Sequence, residues 1–286
     1  MPVALITGAS TGIGRSTSLR LARAGWTVLA GVRDPAAGER LLAEAPAAGH
    51  VIPLTLDVSD ADQIARAAEL VDAETRGAGA PGTGRLDALV NNAGIGFGGP
   101  LELIPVEDLR RQFEVNVVGQ VAVTQAMLPA LRRARGRIVL VSSIGGRVAM
   151  AFTAPYAASK HALEAIGDAL RVELRTSNVQ VALIEPGSVA TPIWDKAGAE
   201  AERVSIPAEL QTQYGQVPAA MGKVVDNLAQ RGIPAEQVAE TIERALTARR
   251  MRARYLIGGD AKVMLLAKRL LPDLLFDRVA RRALGV

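Results

Sequence analysis

The stretch VALITGASTGIG, residues 3–14, decides the fold of this chain. It opens with a four-residue apolar run, long enough for a buried strand, and residues 15–24 after it have the pattern of a helix. Three glycines between them, spaced G-x3-G-x-G, permit a tight turn and close approach of a pyrophosphate to the backbone. The helix N-terminus adds free N–H groups and the positive end of its dipole. Such turns also occur without a ligand, but this context predicts a dinucleotide-binding turn formed by Gly8, Ser10, Thr11, Gly12, Ile13 and Gly14.

The residues after the second predicted strand, 26–32, indicate which dinucleotide is bound. Asp34 suits the N-cap of the next helix, and Pro35 suits its first position. At this strand end an acidic residue binds the ribose 2′-hydroxyl of NAD, whereas an arginine accommodates the 2′-phosphate of NADP. Because Asp34 is expected to act as a cap, Arg33 predicts NADP(H); the alternatives are NAD(H) and a purely solvated Arg33.

Tyr156 and Lys160 are four residues apart and therefore share one face of a predicted helix. A nearby ammonium favours the phenolate and would lower the tyrosine pKa from its usual value of about 10. Ser143 lies thirteen residues upstream, after the predicted strand 136–141, and its hydroxyl can hold an oxygen that is being protonated. Ser142 should point to the other face of this strand end. A lone tyrosine–lysine pair is more often a packing feature, so the other motifs carry the interpretation.

In chain order these motifs resemble the short-chain dehydrogenase/reductase family, in its single-domain branch. The match runs from residue 3 to about residue 192. Residues 31–34 and the basic C-terminal segment are similar to hydroxysteroid- and retinol-dehydrogenase-like members. Beyond the glycine turn, the matching positions are Asp57, Val58, Asn91, Asn92, Ala93, Gly94, Asn116, Ser143, Tyr156, Lys160, Pro186, Gly187, Ser188, Val189 and Thr191.

The resemblance implies an NADP(H)-dependent oxidoreductase that transfers a hydride between nicotinamide and a lipophilic secondary alcohol or ketone. It implies that Tyr156 is the general acid/base, that Lys160 binds the nicotinamide ribose and that Ser143 binds the substrate oxygen. Asn116 would anchor a water between Lys160 and solvent. A catalytically silent NADP(H)-binding sensor or scaffold is the alternative, with an epimerase or dehydratase a minor one. The implied cofactor contacts are Arg33, Asp57, Val58, Asn92, Ala93, Gly94, Tyr156, Lys160, Pro186, Gly187, Val189 and Thr191.

Length and composition predict one domain over residues 1–286. Strands alternate with helices from residue 3 to about 187, which predicts an α/β fold, a Rossmann-type doubly wound parallel sheet with helices on both faces. The chain has no cysteine and two histidines without a carboxylate cluster, so we expect neither disulfides nor a metal site. No signal peptide and no run of about 18 apolar residues is visible, which predicts a cytoplasmic protein. With 3% aromatic residues there is no stacking platform for nucleic acid.

The pattern loosens after Pro186. Residues 190–232 are expected to form a substrate lid, in which Trp194 would contact the substrate; packing of the lid onto the body is the alternative. Residues 244–286 carry eleven Lys/Arg and three Asp, a net charge of +8. Residues 260–286 could be a basic amphipathic helix pair touching membranes, but an extension packed on the body with its basic face in water is favoured. The resemblance also implies a homodimer or homotetramer that pairs through the helices near Pro105 and Tyr156.

Overall fold

The computed structural model describes residues 1–47, 49–77, 80–193 and 206–284, without the side chains of residues 224–230, 283 and 284. Within these residues a seven-stranded, all-parallel sheet has the strand order β3-β2-β1-β4-β5-β6-β9, and β7 pairs with β8 outside it. The strands are β1 (Val3–Thr7), β2 (Thr27–Val32), β3 (His50–Thr55), β4 (Ala88–Asn91), β5 (Arg137–Val141), β6 (Gln180–Pro186), β7 (Val189–Ala190), β8 (Ile233–Pro234) and β9 (Arg254–Ile257).

Helices connect these strands and cover both faces of the sheet. A π-helical turn, Glu114–Val118, joins the fourth helix to the fifth. The α-helices of the described residues are α1 (Gly12–Arg23), α2 (Pro35–Ala43), α3 (Ala61–Thr75), α4 (Val106–Phe113), α5 (Gly119–Ala134), α6 (Ala154–Glu173), α7 (Gln211–Tyr214), α8 (Val217–Arg231), α9 (Ala235–Thr247), α10 (Gly259–Leu270) and α11 (Asp273–Leu284). The predicted doubly wound parallel sheet is confirmed.

Alternation along β1 shows why both faces are covered. Successive side chains of a strand point to opposite faces. Ala4 and Ile6 belong to the apolar cluster on the side of α1 and α9, whereas Leu5 belongs to the cluster on the side of α3 and α5. All three side chains are fully buried. Such a sheet is buried on both faces, which explains the continuous apolar run that opens the chain.

The strand ends differ slightly from the predicted bounds. The fourth strand was expected at residues 86–90 but begins at Ala88. Leu86 lies outside it because its amide donates to the Ala130 carbonyl of α5 at 3.2 Å, whereas the Asp87 carboxylate accepts a hydrogen bond from the Val3 amide at 2.8 Å and anchors the start of β1. Asp34 accepts a hydrogen bond from the Ala36 amide at 3.0 Å, so its predicted capping role is confirmed.

A smaller apolar cluster attaches the last two helices to the body. Ala261 of α10 and Phe276 of α11 are buried against Ile144 and Val148, which follow β5. The extension therefore packs by one face, as the favoured interpretation predicted. Its other face is exposed.

Candidate active site

One cleft opens at the carboxyl ends of the central strands, where parallel sheets of this kind bind ligands. All the predicted site residues line it except Gly14 and Asn116, which lie just behind it, and Trp194, which lies outside the described residues. Leu56, Ile95, Val115, Val141, Ser142 and Pro192 also line the cleft and were not predicted, and Ile193, a lid residue expected to face an apolar pocket, lines it as well. Most of them adjoin a predicted residue at a strand end, so extending each motif by one residue would have found them.

The glycine turn has the backbone that its sequence predicts. Gly8 and Gly12 have φ values of 66° and 54°, the left-handed region that favours glycine. A Cβ at Gly14 would lie 2.2 Å from the carbonyl oxygen of Gly8 and 2.5 Å from Asn92 Nδ2. The N-cap residue of α1, Thr11, makes no side-chain capping hydrogen bond, so no side chain takes the place of an anion there. The turn therefore fits a pyrophosphate at the helix N-terminus.

Thr7 and Asn92 lock the ends of β1 and β4 together. Thr7 Oγ1 accepts hydrogen bonds from the amides of Asn92 and Ala93, both at 2.9 Å. Asn92 Nδ2 donates to the carbonyl oxygens of Thr7 and Gly8, at 2.9 and 3.1 Å. Asn92 therefore faces the cleft and also holds in place the loop that lines the cleft. The sequence places Thr7 at the start of the glycine-turn motif, but nothing in the spacing shows that its hydroxyl reaches across to the next strand.

Arg33 is exposed and lines the cleft, and no acid among the described residues pairs with it. Asp34 is occupied elsewhere, since it caps α2 and lies 3.6 Å from Arg40. Asp57 accepts hydrogen bonds from both the amide and the hydroxyl of Ser59, at 3.0 and 2.6 Å. The basic group at this end of the cleft is therefore available to a ligand, whereas the nearby acids have protein partners.

Ser143, Tyr156 and Lys160 converge at the inner end of the cleft. Ser143 follows β5, accepts a hydrogen bond from the Gly145 amide at 3.0 Å and is hydrogen-bonded to Tyr156. Lys160 lies one turn after Tyr156 on α6, with its Nζ 5.8 Å from the centre of the tyrosine ring. Lys160 Nζ donates to the carbonyl oxygen of Val141 at 2.8 Å. The three groups can therefore act on one substrate oxygen.

The predicted direction of the Tyr156 pKa shift is wrong for this structure. Burial raises the pKa of the Tyr156 hydroxyl, and the hydrogen bond with Ser143 acts in the opposite direction. Burial also lowers the pKa of Lys160 to about 8, while the charge of Glu164 raises it. Tyr156 is therefore held as a proton donor.

Asn116 lies in the π-helical turn, behind the cleft. Its Oδ1 accepts from the Ile95 amide at 2.8 Å, and its Nδ2 donates to the Ile95 carbonyl at 2.9 Å and to Ser159 Oγ at 3.0 Å. A Cβ at Gly94 would lie 3.3 Å from Asn116 Oδ1 and 3.8 Å from Lys160 Nζ. Asn116 therefore fixes the loop beside Lys160 and connects it to α6.

Ser142 serves a different group from Ser143, as expected for adjacent residues at a strand end. Its hydroxyl interacts with Glu164, one turn beyond Lys160, and this lowers a Glu164 pKa that burial raises to about 7. Arg254 Nε lies 3.0 Å from both Glu164 and Glu185. Arg254 also bonds Asp168 at 2.7 Å. A buried ion network therefore supports the back of the Lys160 helix.

Comparison with known proteins agrees with this geometry. A family model described as short chain dehydrogenase matches residues 2–202. An NADPH-dependent 3-dehydrocapnine reductase of Ornithobacterium rhinotracheale is 34% identical over 284 residues, which is 98% of this chain and 96% of the relative. Retinol dehydrogenase 5 of Mus musculus is 34% identical over 284 residues, 96% of this chain and 86% of the relative.

The solved structures agree as well. A short-chain dehydrogenase/reductase from Burkholderia phymatum, in complex with NAD, superimposes with a TM-score of 0.78 and 28% identity. The match covers 94% of this chain and 92% of that one. The order of the motifs, the parallel sheet and the family match over residues 2–202 lead to one conclusion. The chain belongs to the short-chain dehydrogenase/reductase family of oxidoreductases.

Proposed function

We propose that this protein is an NADP(H)-dependent oxidoreductase acting on a secondary alcohol or ketone, with Tyr156 as general acid/base. The observation that carries the proposal is the convergence of Ser143, Tyr156 and Lys160 at one end of a cleft whose other end presents Arg33, which pairs with no acid among the described residues. When bound, the nicotinamide cofactor supplies or accepts the hydride. The protein supplies orientation and proton transfer.

The chain's own residues would divide the work as follows. Ser143 Oγ would hold the substrate oxygen, and the Tyr156 hydroxyl would deliver its proton to that oxygen during reduction or take it back during oxidation. The cationic form of Lys160 would stabilise negative charge that develops on Tyr156 once the proton has left. Asn116 would support a water-mediated proton relay from Lys160, since both groups flank Gly94.

NADP(H) is proposed over NAD(H) because of Arg33. The similar proteins differ on this point, since one relative is named as NADPH-dependent and one solved structure contains NAD. An arginine after β2 accommodates a 2′-phosphate, whereas the acid that would bind a 2′-hydroxyl, Asp34, is used as a helix cap. The local geometry therefore supports the phosphorylated cofactor.

A lipophilic substrate is proposed from the lining of the cleft. Apolar side chains of the cleft, among them Ile193 at the start of the lid, supply a surface for it. The similarity to a retinol dehydrogenase points in the same direction. The predicted contact from Trp194 lies outside the described residues, so the substrate class rests on these apolar side chains.

We also propose a homodimer or homotetramer. Two exposed valines lie on neighbouring elements. Val118, just before α5, is 50% accessible, and Val172, on α6, is 70% accessible. Exposed branched apolar residues on two neighbouring helices are expected where subunits pair. Analytical ultracentrifugation of the wild type and of a Val172→Glu variant would test this, because the variant should shift the assembly toward monomers.

Titration with NADPH and with NADH tests the cofactor assignment directly. The wild type should prefer NADPH, and Arg33→Ala should weaken NADPH binding about tenfold or more while leaving NADH binding unchanged, since one charge-assisted hydrogen bond is lost. Arg40→Ala is the matched control, because Arg40 is also exposed and lies beside Asp34 but is not among the cleft-lining residues. Equal binding of both cofactors by the wild type would contradict the assignment.

The reaction itself is tested by following NADPH consumption with a panel of lipophilic ketones, and NADP reduction with the matching alcohols. Turnover of at least one pair supports the proposal. Tight NADPH binding without turnover of any member would favour the sensor or scaffold instead.

A further inference from the structure

The C-terminal pair, defined as helices α10 and α11, has one face packed and one face exposed. The packed face buries Ala261 and Phe276 against the residues that follow β5. Lys268 holds the two helices together, since its Nζ lies 2.6 Å from Asp273 and 5.1 Å from the centre of the Phe276 ring. Packing on the body thus accounts for one side of the pair and leaves the other side unexplained.

The exposed face is strongly apolar. Six of the twelve exposed large apolar residues in the described part of the chain belong to these two helices, and they are between 46 and 76% accessible. Such a concentration marks a surface that is covered in the functioning protein, because monomeric proteins rarely expose contiguous apolar patches. The six residues are Val263, Leu266, Leu270, Leu274, Leu275 and Val279.

Basic side chains share that face. At 3.6 residues per turn, Lys262, Leu266 and Arg269 fall within a sector of about 60° on α10, and its other two exposed apolar residues widen the sector to about 120°. On α11 the exposed basic and apolar residues share a broader face of about 160°, on which they are mixed. The two helices carry five exposed basic residues, which are Lys262, Arg269, Arg278, Arg281 and Arg282. None of the five forms an ion pair within the described residues.

We propose that the exposed face of the C-terminal pair binds the surface of an anionic lipid bilayer. The apolar side chains would enter the boundary between headgroups and acyl chains, and the long basic side chains would extend to the lipid phosphates. Among the described helices none is long and apolar enough to cross a membrane.

A second copy of the chain fits this face less well than lipid does. In a two-fold symmetric contact the same patch meets itself, so five unpaired cations would oppose five others. An anionic surface instead neutralises them. The pair packs against residues beside Ser143 and contacts the lid helix α8, so the bilayer would lie near the proposed entrance for a lipophilic substrate.

The test is co-sedimentation with phosphatidylcholine vesicles that contain or lack phosphatidylserine. The wild type should bind only the vesicles with phosphatidylserine, and added salt should weaken the binding. Leu266→Glu and Arg278→Glu should each reduce binding at least tenfold. The matched controls Leu42→Glu and Arg40→Glu change exposed residues of α2, near the opposite edge of the sheet, and should bind like the wild type.

NADPH affinity and thermal unfolding of each variant show whether it is folded, so this test is independent of the proposed catalysis. Failure of the wild type to bind anionic vesicles overturns the proposal. Equal loss in the α2 variants would also overturn it, because binding would then follow net charge rather than this face. Dissociation of a lipid-free oligomer by Leu266→Glu, without any vesicle binding by the wild type, would assign the face to a second copy.

Discussion

The cofactor wall of the cleft and the lid beside it are built on different principles. The cofactor wall, formed by the ends of β1 and β4 and the start of α1, is fixed by contacts so close that a Cβ at Gly14 would lie 2.2 Å from a carbonyl oxygen. The lid wall, our name for residues 206–234 and the C-terminal pair, lies outside the described lining of the cleft, and apolar packing attaches its C-terminal pair to the body. On that wall a Cβ at Gly222 would meet no described atom within 4 Å.

The difference explains why one wall has a sequence motif and the other does not. Where backbone atoms approach each other at hydrogen-bond distance, only glycine fits, so the sequence carries a glycine at that position. Apolar packing accepts many residues of similar volume, so the sequence of a packed region shows an apolar composition but no fixed motif. The experiments below compare the two walls, beginning with the residue that lies between them.

Tyr156→Phe should have the largest effect. Removing the hydroxyl removes the proposed proton donor and should lower kcat/KM by about 10²- to 10⁴-fold, the usual contribution of general acid catalysis. Because the change leaves the cofactor wall intact, the dissociation constant for NADPH should stay near that of the wild type. Steady-state kinetics and fluorescence titration measure the two quantities.

Tyr214→Phe is the control on the lid wall. Its hydroxyl accepts a hydrogen bond from Gln213 at 2.8 Å and has no proposed part in proton transfer, so turnover should change little. Comparable losses in the two variants would show that Tyr156 acts through packing and not as the acid.

Gly14→Ala should have the next largest effect, on the cofactor wall alone. The new methyl group would clash with the Gly8 carbonyl and with Asn92, and overpacking of this kind costs about 1–3 kcal/mol. If the turn deforms to accept it, NADPH affinity should fall by about 5- to 150-fold, since each 1.4 kcal/mol is a factor of ten. Isothermal titration gives the affinity, and an unchanged value would show that the turn does not hold the pyrophosphate.

The sequence predicted the cofactor wall in detail and the support behind it poorly. The glycine spacing, Arg33 and the Tyr156–Lys160 pair are local patterns whose geometry follows from the element that carries them. The part played by Thr7 depends on a hydrogen bond to another strand, and the direction of the Tyr156 pKa shift depends on burial. Neither is local, so neither could be derived from spacing.

The same limit applies to the C-terminal pair. Its periodicity showed that the segment was amphipathic, but not which side would face the body. Only the packing of Phe276 against Val148 separates a buried side from an exposed side on which basic and apolar residues are mixed. That arrangement is the basis of the proposed lipid contact.

Glu164→Gln should shift a pH profile without abolishing activity. The Lys160 pKa of about 8 means that its ammonium is present below that pH and is lost above it, so reduction should decline as pH rises through about 8. The Glu164 carboxylate raises the Lys160 pKa. Removing its charge should therefore move the decline in activity at alkaline pH, the alkaline limb of the profile, to lower pH. The pH dependence of kcat/KM measures the shift.

Asp168→Asn is the matched control for Glu164→Gln. It removes a second carboxylate bonded to the same Arg254, but one that does not contribute to the Lys160 pKa. Its alkaline limb should therefore coincide with that of the wild type. Identical shifts in both variants would place the effect in the ion network rather than in the charge beside Lys160.

Gly222→Ala should have the smallest effect and the opposite sign to Gly14→Ala. Gly222 is exposed inside helix α8 and has room for a methyl group, so the substitution should gain up to about 1 kcal/mol of helix propensity. If α8 unfolds together with the sheet, that gain should raise the Tm by about 2–4 °C. If the lid opens on its own, the Tm should stay constant while amide exchange in α8 slows. A destabilised protein would contradict the description of the lid wall as loosely constrained, because it would mean that α8 is packed as closely as the glycine turn.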